Sequence, residues 1–327
     1  MATNKKLDVI SIGSATEDVF VYMPKGSMAG EKCVLTPGSK VEIDELDYFT
    51  GGGAVNTSVA FAHLGLKAGI LCAVGEDESA SEILNVLKKE KVDVKNILKM
   101  KGAHTAYSVI LTGMGKDRII LHYGGTTAML SHAKINTEKL SAKWFYLSSM
   151  HSDSELLSKV ARHAKKIGAK IAFNPGQKEL ALGLDGLKKI FASVDVLLLN
   201  SEEALKLTGS ADVHRNLRKL CEFADFVAIT QGKHGAHATD GKSTYFMRPY
   251  DVPVVDVTGA GDSFGAGFVA AIMKGRGAEE GIKWGTANAS SEVMHLGTKN
   301  TLLSENGIKK FAHKYGSKDN RVEREEF

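Results

Sequence analysis

Strand-like apolar runs alternating with helix-like segments govern what this chain can fold into. Asp8 to Gly13 (DVISIG) reads as a buried strand leading into a loop over Ser14 to Asp18. Ala68 to Val74, Trp144 to Ser148, Lys170 to Phe173, Val194 to Leu199 and Phe226 to Thr230 have the same character. Between them, Val59 to Leu64, Glu78 to Glu90, Glu155 to Ile167 and Glu202 to Leu207 carry helical spacing, with Gly65, Gly168 and Gly209 placed as stops. Strands separated by helices pair most readily in parallel, with helices over both faces of the sheet. The expectation is an α/β fold with a mainly parallel central sheet and ligands at the carboxyl ends of its strands. No linker or internal repeat divides the 327 residues, and a hydrophobic share of 43% suffices for one sizeable core.

Two segments break that rhythm. Val19 to Ile43 and Tyr107 to Tyr123 alternate apolar with polar residues, with turn signals at Pro24, Gly30 and Gly113-Met114-Gly115-Lys116-Asp117. They read as antiparallel strands. Residues 1–18, 44–106 and 124–327 are then an α/β core, and 19–43 with 107–123 a small antiparallel β-sheet.

The stretch Asp256-Val257-Thr258-Gly259-Ala260-Gly261-Asp262 runs into an apolar, Gly/Ala-spaced segment, Phe264 to Ile272. The spacing suits a helix whose first-turn amides are unobstructed and attract anionic oxygen. Asp262 would stand beside that anion as a proton acceptor, which makes the segment a phosphoryl-transfer site. A plain Gly/Ala turn with an acidic helix-start residue also fits the local string. A second segment supplies context: Gly51-Gly52-Gly53-Ala54-Val55-Asn56-Thr57-Ser58. Its glycines let a ligand approach the backbone, and Asn56 offers both a donor and an acceptor to a hydroxyl-rich molecule.

Together the two segments resemble the two signature motifs of the ribokinase (PfkB) family of carbohydrate and nucleoside kinases. The first matches from Gly52 through Asn56, Ser58 and Gly65 to Gly75, the second from Asp256 to Val269, and the similarity runs from Asp8 to the Gly297 region. The resemblance implies an ATP-dependent kinase acting on a ribose-like sugar or a nucleoside. Asp262 would be the general base and Gly259, Ala260 and Gly261 the anion hole. Asp18, Gly51, Gly52, Gly53 and Asn56 would hold the acceptor, with Glu17 competing for the role of Asp18. Gly53 departs from the Lys or other longer side chain of several family members. Asn200-Ser201-Glu202-Glu203 matches an N-x-x-E motif, in which Asn200 and Glu203 organise Mg²⁺ and phosphates through water; a helix N-cap would also explain it. Thr230-Gln231-Gly232-Lys233-His234-Gly235 resembles a nucleotide-binding turn, with Thr230, Gly232 and Gly235 near the phosphates. Thr258 and Asn288 would also lie on the nucleotide side, with Thr286 to Asn288 on the helix flanking adenine. Asp256 would be a ligand for an activating K⁺. Residues 1–18, 44–106 and 124–327 would be the nucleotide- and substrate-binding core, and 19–43 with 107–123 a β-sheet lid that covers the substrate and offers a surface for a homodimer. Phe173-Asn174-Pro175-Gly176-Gln177 looks like the F-D-P-G-Q of a branch that includes nucleoside kinases.

Composition narrows the alternatives. A net charge of +4 without a basic stripe argues against nucleic acid. Cys33, Cys72 and Cys221 are too dispersed for a metal set and suit free thiols in a reducing compartment. No apolar run approaches membrane-spanning length, so a soluble, cytoplasmic protein is expected. A dehydrogenase is disfavoured because no G-x-G-x-x-G follows the first strand. A sensor that kept this fold without catalysis is the remaining alternative, against which the intact base and anion-hole residues count. Lys314 to Phe327 reads as a charged, frayed tail.

Overall fold

The computed structural model describes residues 6–24, 28–29, 32–113, 118–130, 133, 135–150 and 154–327. Six strands form a parallel block in the order Phe226–Thr230, Val196–Asn200, Lys170–Phe173, Ala142–Leu147, Leu7–Ile12, Ala68–Leu71. Ala236–Thr239, Ser243–Met247 and Glu323–Glu326 extend it antiparallel to a nine-stranded sheet. Successive strand side chains point to opposite faces, and the two cores divide accordingly. Val9, Tyr146 and Leu198 share one core with the helices Gly53–His63, Ala260–Met273 and Gly277–Glu292. Ile10, Phe145 and Leu197 share the other with Ser154–Ile167, Gly183–Phe191, Ser201–Thr208 and Val213–Leu220. Burying one Leu or Phe is worth about 1.5–3 kcal/mol, so baring Phe145, Leu147 and Phe173 alone would cost about as much as a domain's whole stability. Both faces therefore have to be covered.

The helix Gly53–His63 starts earlier than the apolar run Val59 to Leu64 suggests. Its N-cap is Gly52 at φ 93°, where a Cβ would sit 2.6 Å from the Ser14 carbonyl oxygen. Only glycine fits that turn, and it brings the glycine-rich segment against the end of the first strand.

A separate four-stranded sheet runs in the order Ile119–Tyr123, Ala106–Thr112, Thr16–Tyr22, Glu45–Gly51. The two outer pairs are antiparallel and the central pair parallel. Its strands extend beyond the segments expected for the lid. Thr16 to Asp18 lie on a strand rather than in a loop, because they pair on both sides, with Ala106 to Ser108 and with Phe49 to Gly51. Glu45–Gly51 joins the same sheet; its short Leu46/Tyr48 alternation merges into the glycines and gives little signal. The turn signals at Gly30 and Met114 to Asp117 lie outside the described residues.

The C-terminal segment is ordered, against the expectation of a frayed tail. Glu305–Tyr315 is a helix, and Glu323–Glu326 is an edge strand on Ser243–Met247. Arg324 Nε and Nη2 donate to Ser243 Oγ at 3.2 and 3.1 Å, and the guanidinium lies over Tyr245. A charged sequence can form an edge strand because both its faces stay in water. Among the described residues, no helix is long and apolar enough to cross a membrane.

Candidate active site

Asp262 stands in the first turn of Ala260–Met273. That helix starts at Gly259, φ 80°, with no side chain capping its amides. A Cβ on Gly259 would meet Thr298 Cβ and Cγ2 at 2.8 Å, so conformation and packing both demand glycine. Nothing lies within 4 Å of where a side chain on Gly261 would begin. Uncapped amides at a positive helix end, open to approach, suit an anionic oxygen.

The glycine-rich segment faces this helix start. A Cβ at Gly53 would come within 2.7 Å of Ser148 Oγ and 3.6 Å of Asp262 Oδ1. Ser148 thus fills the space next to position 53, where a longer side chain would need room. At Gly51 a Cβ would fall on the Asp18 carboxylate, so the glycine exposes that acid. Asp18 is 7% exposed; Thr16 Oγ1 donates to its Oδ1 at 3.1 Å, and Ser108 hydrogen-bonds it as well. Burial raises its carboxyl above the usual range, with Ser108, Lys299 and Thr16 opposing the rise.

Asn56 joins the two segments. Its Nδ2 donates to Asp262 Oδ2 at 2.8 Å. Its Oδ1 accepts from Thr298 Oγ1 at 2.7 Å and from Lys299 Nζ at 3.1 Å. The acceptor capacity expected of Asn56 is therefore taken up within the protein, and one N–H remains for a ligand. Burial pushes the Asp262 carboxyl up, the Asn56 amide and the Lys299 charge hold it down, and Asp18 adds to the rise. Burial brings the Lys299 ammonium down to about 8, with Asp18, Glu292 and Asp262 opposing.

On the other side, Asn200 and Thr230 end neighbouring parallel strands as register partners. Asn200 caps Ser201–Thr208: its Oδ1 accepts from Glu203 N at 2.9 Å, and Glu203 Oε2 accepts from Asn200 N at 2.8 Å. Burial raises the Glu203 carboxyl, and the Asp262 charge contributes, so this turn and the Asp262 helix share one end of the sheet. Gly232 (φ 55°) and Gly235 (φ 100°) bracket a tight turn after Thr230. Asn288 departs from expectation. It is fully buried, donating Nδ2 to Ser263 O and accepting Leu303 N on Oδ1, so it ties helices together and has no face for a nucleotide.

Two further carboxylates, Asp256 and Glu292, act on one another near the Gly259–Asp262 turn. Asp256 Oδ1 accepts from Thr258 N at 3.0 Å and Thr258 Oγ1 at 2.8 Å, while its buried Oδ2 has no hydrogen-bond partner. Glu292 is 1% exposed and neither carboxylate oxygen has a hydrogen-bond partner. Burial pushes its carboxyl up to about 8, with Lys299 opposing and Asp256 and Asp262 adding. Buried, unpaired oxygens of this kind fit a cation. Among the described residues, no group of three His, Cys, Asp or Glu is arranged to hold a metal.

Thr298, Lys299, Ser148, Ser108 and Glu292 belong to the site but were not picked out from the sequence. All but Glu292, whose carboxylate has no hydrogen-bond partner, meet a residue across a long stretch of chain, and the one available signal was the position of Thr298 and Lys299 directly after Gly297.

Comparison with known proteins finds relatives over nearly the whole chain. The model of the pfkB family carbohydrate kinases matches residues 6–305. A cytidine kinase of Thermococcus kodakarensis is 30% identical over 89% of this chain and 98% of its own. A ribokinase of Haemophilus influenzae is 25% identical over 89% of this chain and 94% of its own. In three dimensions, a nucleoside kinase of Methanocaldococcus jannaschii superposes with a TM-score of 0.80 at 23% identity, over 94% of this chain and 99% of that one.

Proposed function

The chain belongs to the pfkB family of carbohydrate kinases, and we propose on that premise that Asp262 is its general base. It is a phosphotransferase with a hydroxyl acceptor. In this reading it transfers the γ-phosphoryl group of ATP to a ribose-like sugar or a nucleoside in the cytoplasm. The observation that carries the assignment is the Asp262 carboxylate set in the first turn of a helix without a side-chain cap and held by Asn56.

The acceptor hydroxyl lies against Asp262, which takes its proton as the oxygen attacks phosphorus in line. The Gly259, Ala260 and Gly261 amides balance the charge on the phosphoryl oxygens. Asp18, the Gly51–Gly53 turn and the free N–H of Asn56 hold the acceptor. Thr230, Gly232, Gly235 and Thr258 line the nucleotide side. Asn200 and Glu203 hold hydrated Mg²⁺, which supplies charge neutralisation on the nucleotide when bound. Asp256, with its unpartnered oxygen, is the ligand offered to K⁺. Residues 19–43 and 107–123 act with their neighbouring strands as the lid. The outer face of the small sheet exposes Leu46, Tyr48, Leu121 and Tyr123, which suits a homodimer formed lid to lid.

The test is ADP release from Mg²⁺-ATP against a panel of sugars and nucleosides, with and without K⁺. Turnover with one acceptor class is expected, and Asp262→Asn should lower kcat by ~10²–10⁴ while nucleotide still binds. Near-normal turnover in that variant would remove Asp262 from the role. Silence of the wild type across the panel, with nucleotide bound, would point to a sensor.

A further inference from the structure

We infer that Lys299, with Thr298, is a positioning residue that turns the Asn56 amide so that its N–H faces the Asp262 carboxylate. The oxygen and nitrogen ends of an amide are told apart by the partners they meet. Here the oxygen end meets two donors, Thr298 Oγ1 at 2.7 Å and Lys299 Nζ at 3.1 Å. The other end meets a carboxylate oxygen at 2.8 Å. Turning the amide over would set its carbonyl against Asp262 and its N–H₂ against an ammonium, two repulsions in place of three hydrogen bonds.

The ammonium is fully committed to this task. An ammonium has three N–H donors. Those of Lys299 reach Thr50 O, Asn56 Oδ1 and Thr298 Oγ1. With all three satisfied by protein oxygens, Lys299 is a strut rather than a hand for an anionic acceptor. It also adds positive charge beside the base.

The charged surroundings come from several elements. Asp18 on Thr16–Tyr22, Asp262 on Ala260–Met273 and Glu292 on Gly277–Glu292 all act on Lys299. His122 acts on Asp18 from Ile119–Tyr123, two strands away in the small sheet. Behind Lys299 lies a cavity of about 220 Å³ lined by Glu17, Glu82, Lys89 and Glu90, with Glu90 paired to His63. Among these, Lys299 is the cation that acts on Asp262, and together with the Asn56 hydrogen bond it opposes the effect of burial there. The consequence is a base that stays ionised to lower pH than its enclosure alone would allow.

The inference rests on Asp262 being the base, and its first test needs no acceptor. Infrared difference titration of the wild type against Asp262→Asn reads the protonation of Asp262. The same difference is taken in a Lys299→Met background. Removing the cation is expected to raise the midpoint by about one pH unit or more, and Thr298→Val to move it less in the same direction. An unmoved midpoint in a Lys299→Met protein that melts cooperatively overturns the inference; if that protein does not fold, Lys299→Gln and Thr298→Val decide it in the same way. The kinetic arm follows kcat/KM against pH for the acceptor turned over by the wild type. The acid limb should shift upward in Lys299→Met and return toward wild type in Lys299→Arg, with KM for ATP unchanged. Superposed profiles, alongside a dead Asp262→Asn, would sink the role of Lys299 and leave the kinase reading standing. A wild type without turnover would fail the kinase reading, and the infrared titration would still judge Lys299.

Discussion

Two helix starts meet at the same end of the sheet, and they are built in opposite ways. Ser201–Thr208 is closed by a reciprocal capping box, Asn200 with Glu203. Ala260–Met273 begins at a left-handed glycine with no side chain on its amides. The first helix binds two backbone N–H groups, of Asn200 and Glu203, through its own side chains, and the second has no side-chain cap and open space where a side chain on Gly261 would begin. One terminus is closed by its own sequence, and the other is where the proposed anion hole lies. The contrast separates structural from functional use of the same backbone feature.

The strongest way to break the contrast is to spoil the open terminus. Gly259→Ala forces a side chain onto φ 80° and into Thr298. We expect kcat to fall by about 10²–10³, as for loss of an anion-hole donor, with a lower melting temperature from backbone strain. Steady-state kinetics and thermal melts check both, and unchanged turnover would argue against an anion hole there.

A second prediction sharpens the same distinction on carboxylates, satisfied at Asp256 Oδ1 and unsatisfied at Glu292. The folded-state value for Glu292 rises from 4.5 to about 8. Between those values the folded chain holds a proton that the unfolded chain has released, so stability is greatest below the lower one and falls as pH rises through the upper. The slope is roughly 1.4 kcal/mol per pH unit for one proton. In a buffer free of alkali cations, urea unfolding across that window should show the decline, and Glu292→Gln should flatten it. A K⁺-dependent rise in stability near pH 8 that vanishes in Glu292→Gln would tie the orphaned oxygens to a cation.

The smallest effect belongs to the closed terminus. Asn200→Ala removes the cap and should cost about 1 kcal/mol of stability, read as a modest drop in urea midpoint. If Asn200 also serves the nucleotide, KM for ATP rises as well; a stability loss with unchanged KM would assign it to the cap alone.

What the sequence revealed follows the range of each interaction. The Gly259–Asp262 turn and the Asn200–Glu203 box are local, so their residue types and spacing announce them. The parallel sheet was legible because each strand carries its own apolar run. Asn288 misled because a polar residue on a helix near the site looks exposed, whereas its amide bridges Ser263 and Leu303 inside the core. Thr298 and Lys299 were silent because their partner Asn56 lies 242 and 243 positions away. Edge strand Glu323–Glu326 was missed because its charges imitate a solvated tail.

The Asn56 bridge also dictates when the site can exist. Its two ends are fixed by residues made long after it: Asp262, 206 positions later, and Thr298, 242 positions later. The strand Leu7–Ile12 likewise waits for Ala142–Leu147 before its neighbours on both sides are present. During synthesis, which proceeds from the N-terminus, the glycine-rich segment emerges early and stays without its counterpart for most of translation. A nascent chain that stops short of Thr298 already holds Asp262 and the Gly259–Gly261 turn but lacks the strut inferred to orient Asn56. The bridge therefore closes only once Lys299 has emerged, however early its glycine-rich half is made.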